Sequence, residues 1–229
     1  MGITYYRDLA QGSDEWLKVR RGLLTASELK YILTPKLKVA SNDKERTHLY
    51  ELLSQRITGR VLESWQGDNM LRGHAEEAEA RYAYETRYEP VETVGFITND
   101  RWGFTLGYSP DGLVNTRGLI ECKSRVPKYQ VETICAWKVP DEHVIQCQAA
   151  LLISERDWLD FISYSNGMPM TRIRVEPDPL IQEAIVEAAS LFEARLADRL
   201  AEYIARLDER AADLTPTIYS PPNYGDISA

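Results

Sequence analysis

Apolar positions recur along this chain in two periods, and the alternation between them predicts its elements. Gly12-Ser13-Asp14-Glu15 opens a short helix, with Ser13 placed to cap it and acids in its first turn. The helix runs through Trp16, Leu17 and Val19 and stops at Gly22. Thr25-Ala26-Ser27-Glu28 has capping-box spacing and predicts a second helix from about Ala26. The polar, lysine-bearing stretch from Pro35 to Glu45 reads as a loop. A helix follows over 47–59, with Leu49, Leu52, Leu53 and Ile57 inward, and another over 70–86. The latter carries two stripes. One is Leu71, Ala75, Ala78 and Tyr82; the other is Met70, Gly73, Glu77, Arg81 and Tyr84. Periodicity does not choose between them.

The period then shortens to two. Residues 93–98, 104–108 and 118–124 read as strands, and Pro140-Asp141 introduces a helix over 141–153. Strands at 157–164 and 170–175 flank Asn166-Gly167. The order predicts an α/β fold, with a mixed central sheet flanked by helices. Asp178-Pro179 opens a last helix over 178–213, about 50 Å long if continuous. Its apolar stripe from Leu180 to Leu207 serves either the core or a subunit contact. Residues 215–229, with Pro221-Pro222, read as an extended tail. The 229 residues fit one domain over 1–214, with N-terminal helices at 12–60, a core at about 70–175 and the C-terminal helix.

Composition narrows the class. No run of about 20 apolar residues marks a membrane span, and the N-terminus lacks a signal-peptide core. Cys122, Cys135 and Cys147 have no CxxC spacing, so neither a disulfide framework nor an iron–sulfur site is expected. A reducing cytoplasm is the expected compartment. The net charge of −8 excludes a general DNA-coating protein but not an enzyme whose positive charge is confined to one groove.

Chemistry concentrates at Ser109-Pro110-Asp111 and Glu121-Cys122-Lys123. Ser-Pro-Asp-Gly breaks the strand at 104–108. Alternation on the next strand puts Leu119, Glu121 and Lys123 on one face and Ile120 and Cys122 on the other. A glutamate and a lysine on a partly buried strand need compensation. A hard cation held by Asp111, Glu121 and the Cys122 carbonyl supplies it, since Mg²⁺ prefers oxygen ligands. Lys123 then meets an attacking water or a scissile phosphate. Asp14 with Glu28 and Lys30 repeats the pattern, but on a predicted helix, where Glu28 and Lys30 diverge by about 200°. Glu76, Glu77, Glu79 and Glu85 are further candidate carboxylates, which the residues alone do not separate. The segment around Arg20 and Ser27 is either a phosphate-docking helix start or a capped surface helix beside two solvated arginines.

Five ordered segments carry a resemblance: Trp16 to Glu28, Gly73-His-Ala-Glu-Glu77, Ser109-Pro-Asp-Gly-Leu113, Leu119-Ile-Glu-Cys-Lys123 and Gln146-Cys-Gln148. Together they resemble the phage lambda exonuclease and its YqaJ-type viral recombinase relatives. The resemblance implies a restriction-endonuclease-like core and hydrolysis with two Mg²⁺ ions, Mn²⁺ being a substitute. It implies Asp111, Glu121 and the Cys122 carbonyl as metal ligands, Lys123 as catalytic lysine and Glu77 as the helix-borne acid. Gln148 matches an active-site glutamine, accompanied by Gln146. Arg20, Ser27 and Ser109 match positions that hold the terminal 5′-phosphate. It further implies a homotrimeric ring on double-stranded DNA, 5′-to-3′ digestion, and a single-strand annealing recombinase as partner, in a phage or prophage setting.

The chain departs from the family pattern at Arg20-Arg21, which has an extra basic residue. The basic residues after Lys123 do not align; Arg125 and Lys128 are candidates for backbone contact only. Three other readings compete: a RecB- or Cas4-type nuclease, a site-specific endonuclease, and a non-catalytic DNA-binding module.

Overall fold

The computed structural model describes residues 2–61 and 68–220, with side chains described for all of these except 68–72 and 74. The chain runs through β1 (Ile3–Tyr6), α1 (Asp14–Arg20), β2 (Leu24–Thr25), α2 (Leu29–Ile32), α3 (Asp43–Thr58) and α4 (Asp68–Arg87). It continues with β3 (Val91–Glu92), β4 (Phe96–Asn99), β5 (Leu106–Tyr108), β6 (Gly112–Val114) and β7 (Gly118–Ser124). Then come α5 (Pro127–Ala136), α6 (Asp141–Ser154), β8 (Trp158–Tyr164), β9 (Thr171–Val175) and α7 (Pro179–Glu209).

Caps explain where helices begin. Ser13 accepts from the Trp16 N–H and starts α1 as expected. The stretch read as a loop to Glu45 is shorter than that. Asn42 accepts from the N–H groups of Lys44 and Glu45, so α3 starts before 47. The expected helix from Ala26 is a turn instead. Glu28 Oε2 does reach back to the Thr25 N–H (2.9 Å), but helical structure begins only at Leu29.

The fold is mixed α/β, with its strands in two sheets rather than one. Four strands pair in the order β1-β4-β5-β2, and five in the order β3-β6-β7-β8-β9. The strand expected at 93–98 begins only at Phe96, as β4, and β3 at Val91–Glu92 is an addition; between them lies Gly95. A Cβ there would stand 2.2 Å from the Leu9 carbonyl oxygen, so only glycine admits this approach. Strands β1, β2 and β6 and helix α5 add to the expected set.

Alternation on β7 is as read. Leu119 lies in the larger apolar cluster, with Leu24, Leu106, Leu151 and Phe192. Ile120 and Cys122 lie in the smaller one, with Ala80 and Tyr84 of α4. On α4 the structure selects the stripe containing Glu77, Arg81 and Tyr84: Tyr84 is fully buried, while Tyr82 of the other stripe is 72% exposed. The side chains of Met70 and Leu71 lie outside the described residues.

Helix α7 is capped by Asp178, which accepts from the N–H groups of Leu180 and Ile181. A 3₁₀ turn, Ala211–Asp213, follows it. The core covers Ile185, Ala188, Ala189, Phe192 and Leu196, whereas Leu180, Leu191, Ile204 and Leu207 of the expected stripe, along with Tyr203, are exposed. Of the expected tail, residues 221–229 lie outside the described residues. Among the described residues, no helix is long and apolar enough to cross a membrane.

Candidate active site

The site forms where the second sheet loses a strand. β6 pairs with β7 only from Val114↔Gly118 to Gly112↔Ile120. Beyond Ile120 that edge of β7 has no strand partner, and its main-chain groups need another. Asp111 takes the next one, with its Oδ2 accepting from the Cys122 N–H at 2.6 Å. The Cys122 carbonyl leaves the strand by the same edge as its N–H. On the other side β7 runs parallel to β8, with Glu121 opposite Phe161.

Glu121 is buried, with its side chain 2% exposed, and both carboxylate oxygens have donors. Oε1 accepts from Lys123 Nζ (2.6 Å) and from Gln146 Nε2 of α6. Oε2 accepts from the Tyr108 hydroxyl at 2.9 Å. Burial works to lower the Lys123 pKa, but the Glu121 and Asp111 carboxylates outweigh it and raise it above its ordinary value. Burial, then the charges of Glu121 and Glu77, hold the Asp111 carboxyl well above the usual carboxylate range, against the pull of Lys123. Like charges kept this close are relieved by a proton or by a bound cation.

The donor set fits a divalent ion. Among the described residues no three His, Cys, Asp or Glu side chains gather tightly on one point. Two carboxylates and a main-chain carbonyl are nevertheless the sparse set that suits Mg²⁺, which keeps several of its waters. Glu77 lines the same cleft as Asp111.

A strap from β1 through α1 brings a second group of residues to this edge. Gln11 Nε2 donates to the Pro110 carbonyl at 2.8 Å, and Trp16 Nε1 to the Gly95 carbonyl at 3.0 Å. Arg20 Nη1 donates to Ser109 Oγ at 3.0 Å, and its guanidinium lies over the Trp16 ring, 4.3 Å from the centroid. Burial lowers the Arg20 pKa, with Glu28 opposing. A partly desolvated guanidinium is a strong anion binder. The parallel ladder Leu24↔Leu106, Thr25↔Gly107 sets the turn containing Ser27 beside the chain entering Ser109. Ser27 Oγ lies 3.4 Å from Thr25 Oγ1.

The expected site residues thus fall into three groups. Asp111, Glu121, Cys122, Lys123 and Gln146 converge, with Glu77 facing them, and Arg20 and Ser109 adjoin. Gln148 lies elsewhere: its amide donates to the Glu176 carbonyl (2.8 Å) and accepts from the Asp178 N–H (2.8 Å), anchoring the start of α7. Residues 146 and 148 on a helix point about 200° apart, so only one can face Glu121. Arg125 pairs with Glu142 at 2.7 Å and lies 3.2 Å from His143 Nε2. Burial, with Lys123 nearby, lowers the His143 pKa to about 4. Lys128 is exposed at the start of α5, 4.6 Å from the Tyr129 ring centroid. Two participants went unread in the sequence. Tyr108 ends a strand that was recognised, and Arg81, whose Nη1 donates to the Asp111 carbonyl at 2.9 Å, stands one helical turn after Glu77.

No curated protein sequence matches the chain. An alkaline exonuclease from Laribacter hongkongensis matches in structure at 31% identity, covering 89% of this chain and all of that one, with a TM-score of 0.75. The same enzyme in complex with dAMP matches at 32% identity and a TM-score of 0.76, with equal coverage. A phage-related exonuclease from Haemophilus somnus shares the fold at 13% identity and a TM-score of 0.53, over 78% of this chain and 96% of that one. The model of the YqaJ-like viral recombinase domain matches residues 15–157, a span that holds Arg20, Glu77, Asp111, Glu121, Lys123 and Gln146. This chain belongs to the YqaJ-like viral recombinase domain family.

Proposed function

We propose that this chain is a Mg²⁺-dependent exonuclease that degrades one strand of linear double-stranded DNA from a 5′-phosphorylated end, 5′ to 3′, and leaves a 3′ single strand for recombination. Its family and its likeness to the alkaline exonuclease make it a nuclease acting on DNA. One observation carries the finer reading. The Arg20–Ser109 contact and the Asp111 carboxylate are joined through Pro110 alone, so an anion pocket adjoins the acid cluster. Such a pairing suits an enzyme that holds a terminal phosphate and cuts beside it. The related enzyme's complex with dAMP, a 5′-mononucleotide, is in keeping with this.

Asp111, Glu121 and the Cys122 carbonyl would hold one ion, and Glu77 would help to hold a second. Bound ions supply an activated water and neutralise charge on the phosphate. The protein's own part is positioning. Tyr108 and Gln146 fix the Glu121 carboxylate, and Cys122 fixes that of Asp111. Lys123 sits where its ammonium can leave Glu121 Oε1 to orient the attacking water or the scissile phosphate. Arg20, with Ser109 and Ser27, anchors the terminal phosphate. Mn²⁺ is an expected substitute metal. A homotrimeric ring would confine positive charge to a channel and reconcile DNA handling with the charge of −8. A single-strand annealing recombinase would take up the product strand.

The test is a linear duplex with one 5′-phosphate and each strand end-labelled, assayed in Mg²⁺ beside a covalently closed circle. Loss of the 5′-phosphorylated strand alone, with the circle intact, is expected. Cutting of the circle would replace this reading with an endonuclease.

A further inference from the structure

A cleft of about 330 Å³ opens beside Asp111. Its walls are the strap after β1, the link between β3 and β4, and α4 through Glu77 and Arg81. Gly95 and Pro110 divide it from the terminal-phosphate pocket. Both line the cleft, while Trp16 holds the Gly95 carbonyl and Ser109 from the other side. Arg20, Ser109, Lys123 and Gln146 are not among its lining residues.

The cleft holds two guanidiniums. Arg81 is steadied by one donor on the Asp111 carbonyl, and a guanidinium has five. Arg7 pairs with Glu92, but both side chains are half exposed, so the pair is weak and exchangeable. Leu9, Val94 and Pro110 add an apolar wall. The Glu77 and Asp111 carboxylates line the cleft as well, at its metal-binding end. Two guanidiniums beside a carbon surface, in a volume suited to a small ligand, match a nucleotide unit: phosphate on the arginines, deoxyribose on the wall.

We infer that this cleft is a second strand subsite, in which Arg81 and Arg7 bind a DNA backbone phosphate on the opposite side of the scissile group from Arg20. The inference rests on the nuclease reading above and adds a contact downstream of the cut. Arg81, by also holding the Asp111 carbonyl, ties that phosphate to the loop bearing the metal-binding acid.

The experiment measures affinity for a 5′-phosphorylated and a 5′-hydroxyl duplex by fluorescence anisotropy, in EDTA and over a salt series. It compares wild type, Arg7→Gln and Arg81→Gln. Each lost phosphate contact should lower the slope of log K against log salt by about 0.7–0.9. The ratio of the two duplex affinities should stay at its wild-type value. Arg7 is half exposed, so Arg7→Gln should fold even if Arg81→Gln disturbs the Asp111 loop. Slopes equal to wild type in both variants would overturn the inference. Loss of the 5′-phosphate preference in Arg7→Gln would overturn it too, by placing Arg7 at the terminus. A wild-type protein indifferent to the 5′-phosphate would contradict the end-reading function instead, and leave the slope test standing.

Discussion

Strands β7 and β8 carry a charged cluster on each face, and the two clusters are balanced differently. Asp160, opposite Ile120 in the ladder, is fully buried. It accepts from Arg174 Nε (2.7 Å) and the Tyr84 hydroxyl (2.8 Å), with Arg172 3.7 Å away. One carboxylate there meets two guanidiniums and a phenol. Around Glu121, on the other face, the Glu121 and Asp111 carboxylates share one ammonium, that of Lys123. Breaking a fully paired buried charge is costly to a fold; an acid cluster left short of cations is a candidate place for a ligand. The same two strands therefore hold a structural ion cluster and the proposed cation site, and the ratio of acids to cations sets them apart.

The contrast can be broken first at Asp111. Asp111→Asn should remove several kcal/mol of transition-state stabilisation, a loss of about a thousandfold or more in Mg²⁺-dependent digestion. Its stability should move the other way. The fold raises the Asp111 pKa above its unfolded value of about 3.9, so ionisation costs stability once the pH passes that value. The metal-free protein carries that cost at pH 7. The variant should then unfold in denaturant at or above the wild-type midpoint, and a clearly lower midpoint would count against the electrostatic account.

Asp160→Asn should do the reverse. It leaves two arginines without their counter-charge and should cost about 2–4 kcal/mol by chemical denaturation, discounted because both arginines are partly exposed. Activity per folded molecule should persist. A selective loss of catalysis at full stability would erase the distinction between the faces.

Arg20→Ala should weaken selection of 5′-phosphorylated over 5′-hydroxyl ends by about tenfold or more, the worth of a charged hydrogen bond. Equal losses on both ends would remove Arg20 from the end-reading role. The smallest effect is expected at Tyr108. Tyr108→Phe deletes the donor to Glu121 Oε2 and should raise the Mg²⁺ concentration needed for half-maximal activity by about tenfold. An unchanged metal requirement would make Tyr108 a packing residue only.

The legible part of this site was whatever depends on local geometry. The two-residue period of β7 put Glu121 and Lys123 on one face, and the Ser109–Gly112 turn set Asp111 at a strand boundary. What escaped depends on pairing across the fold. β1 and β2 are four and two residues long, too short for a period to show, yet β2 aligns the Ser27 turn with Ser109. Tyr108 reaches Glu121 between two different sheets, a contact no spacing encodes. The glutamines of α6 needed the helix's rotation about its own axis, which burial fixes: Gln146 faces Glu121 and Gln148 anchors α7. On α4, periodicity did not separate the two stripes; the resemblance singled out Glu77, and the sheet covers the stripe that carries it.

The central claim is that the acid-rich face of β7 is a divalent-cation site. Calorimetric titration of Mn²⁺ into the DNA-free protein tests it most directly, with Asp111→Asn measured alongside at pH 7. Saturable binding to wild type that is lost in Asp111→Asn is the predicted result. Equal binding by both proteins, or none by wild type, would contradict it.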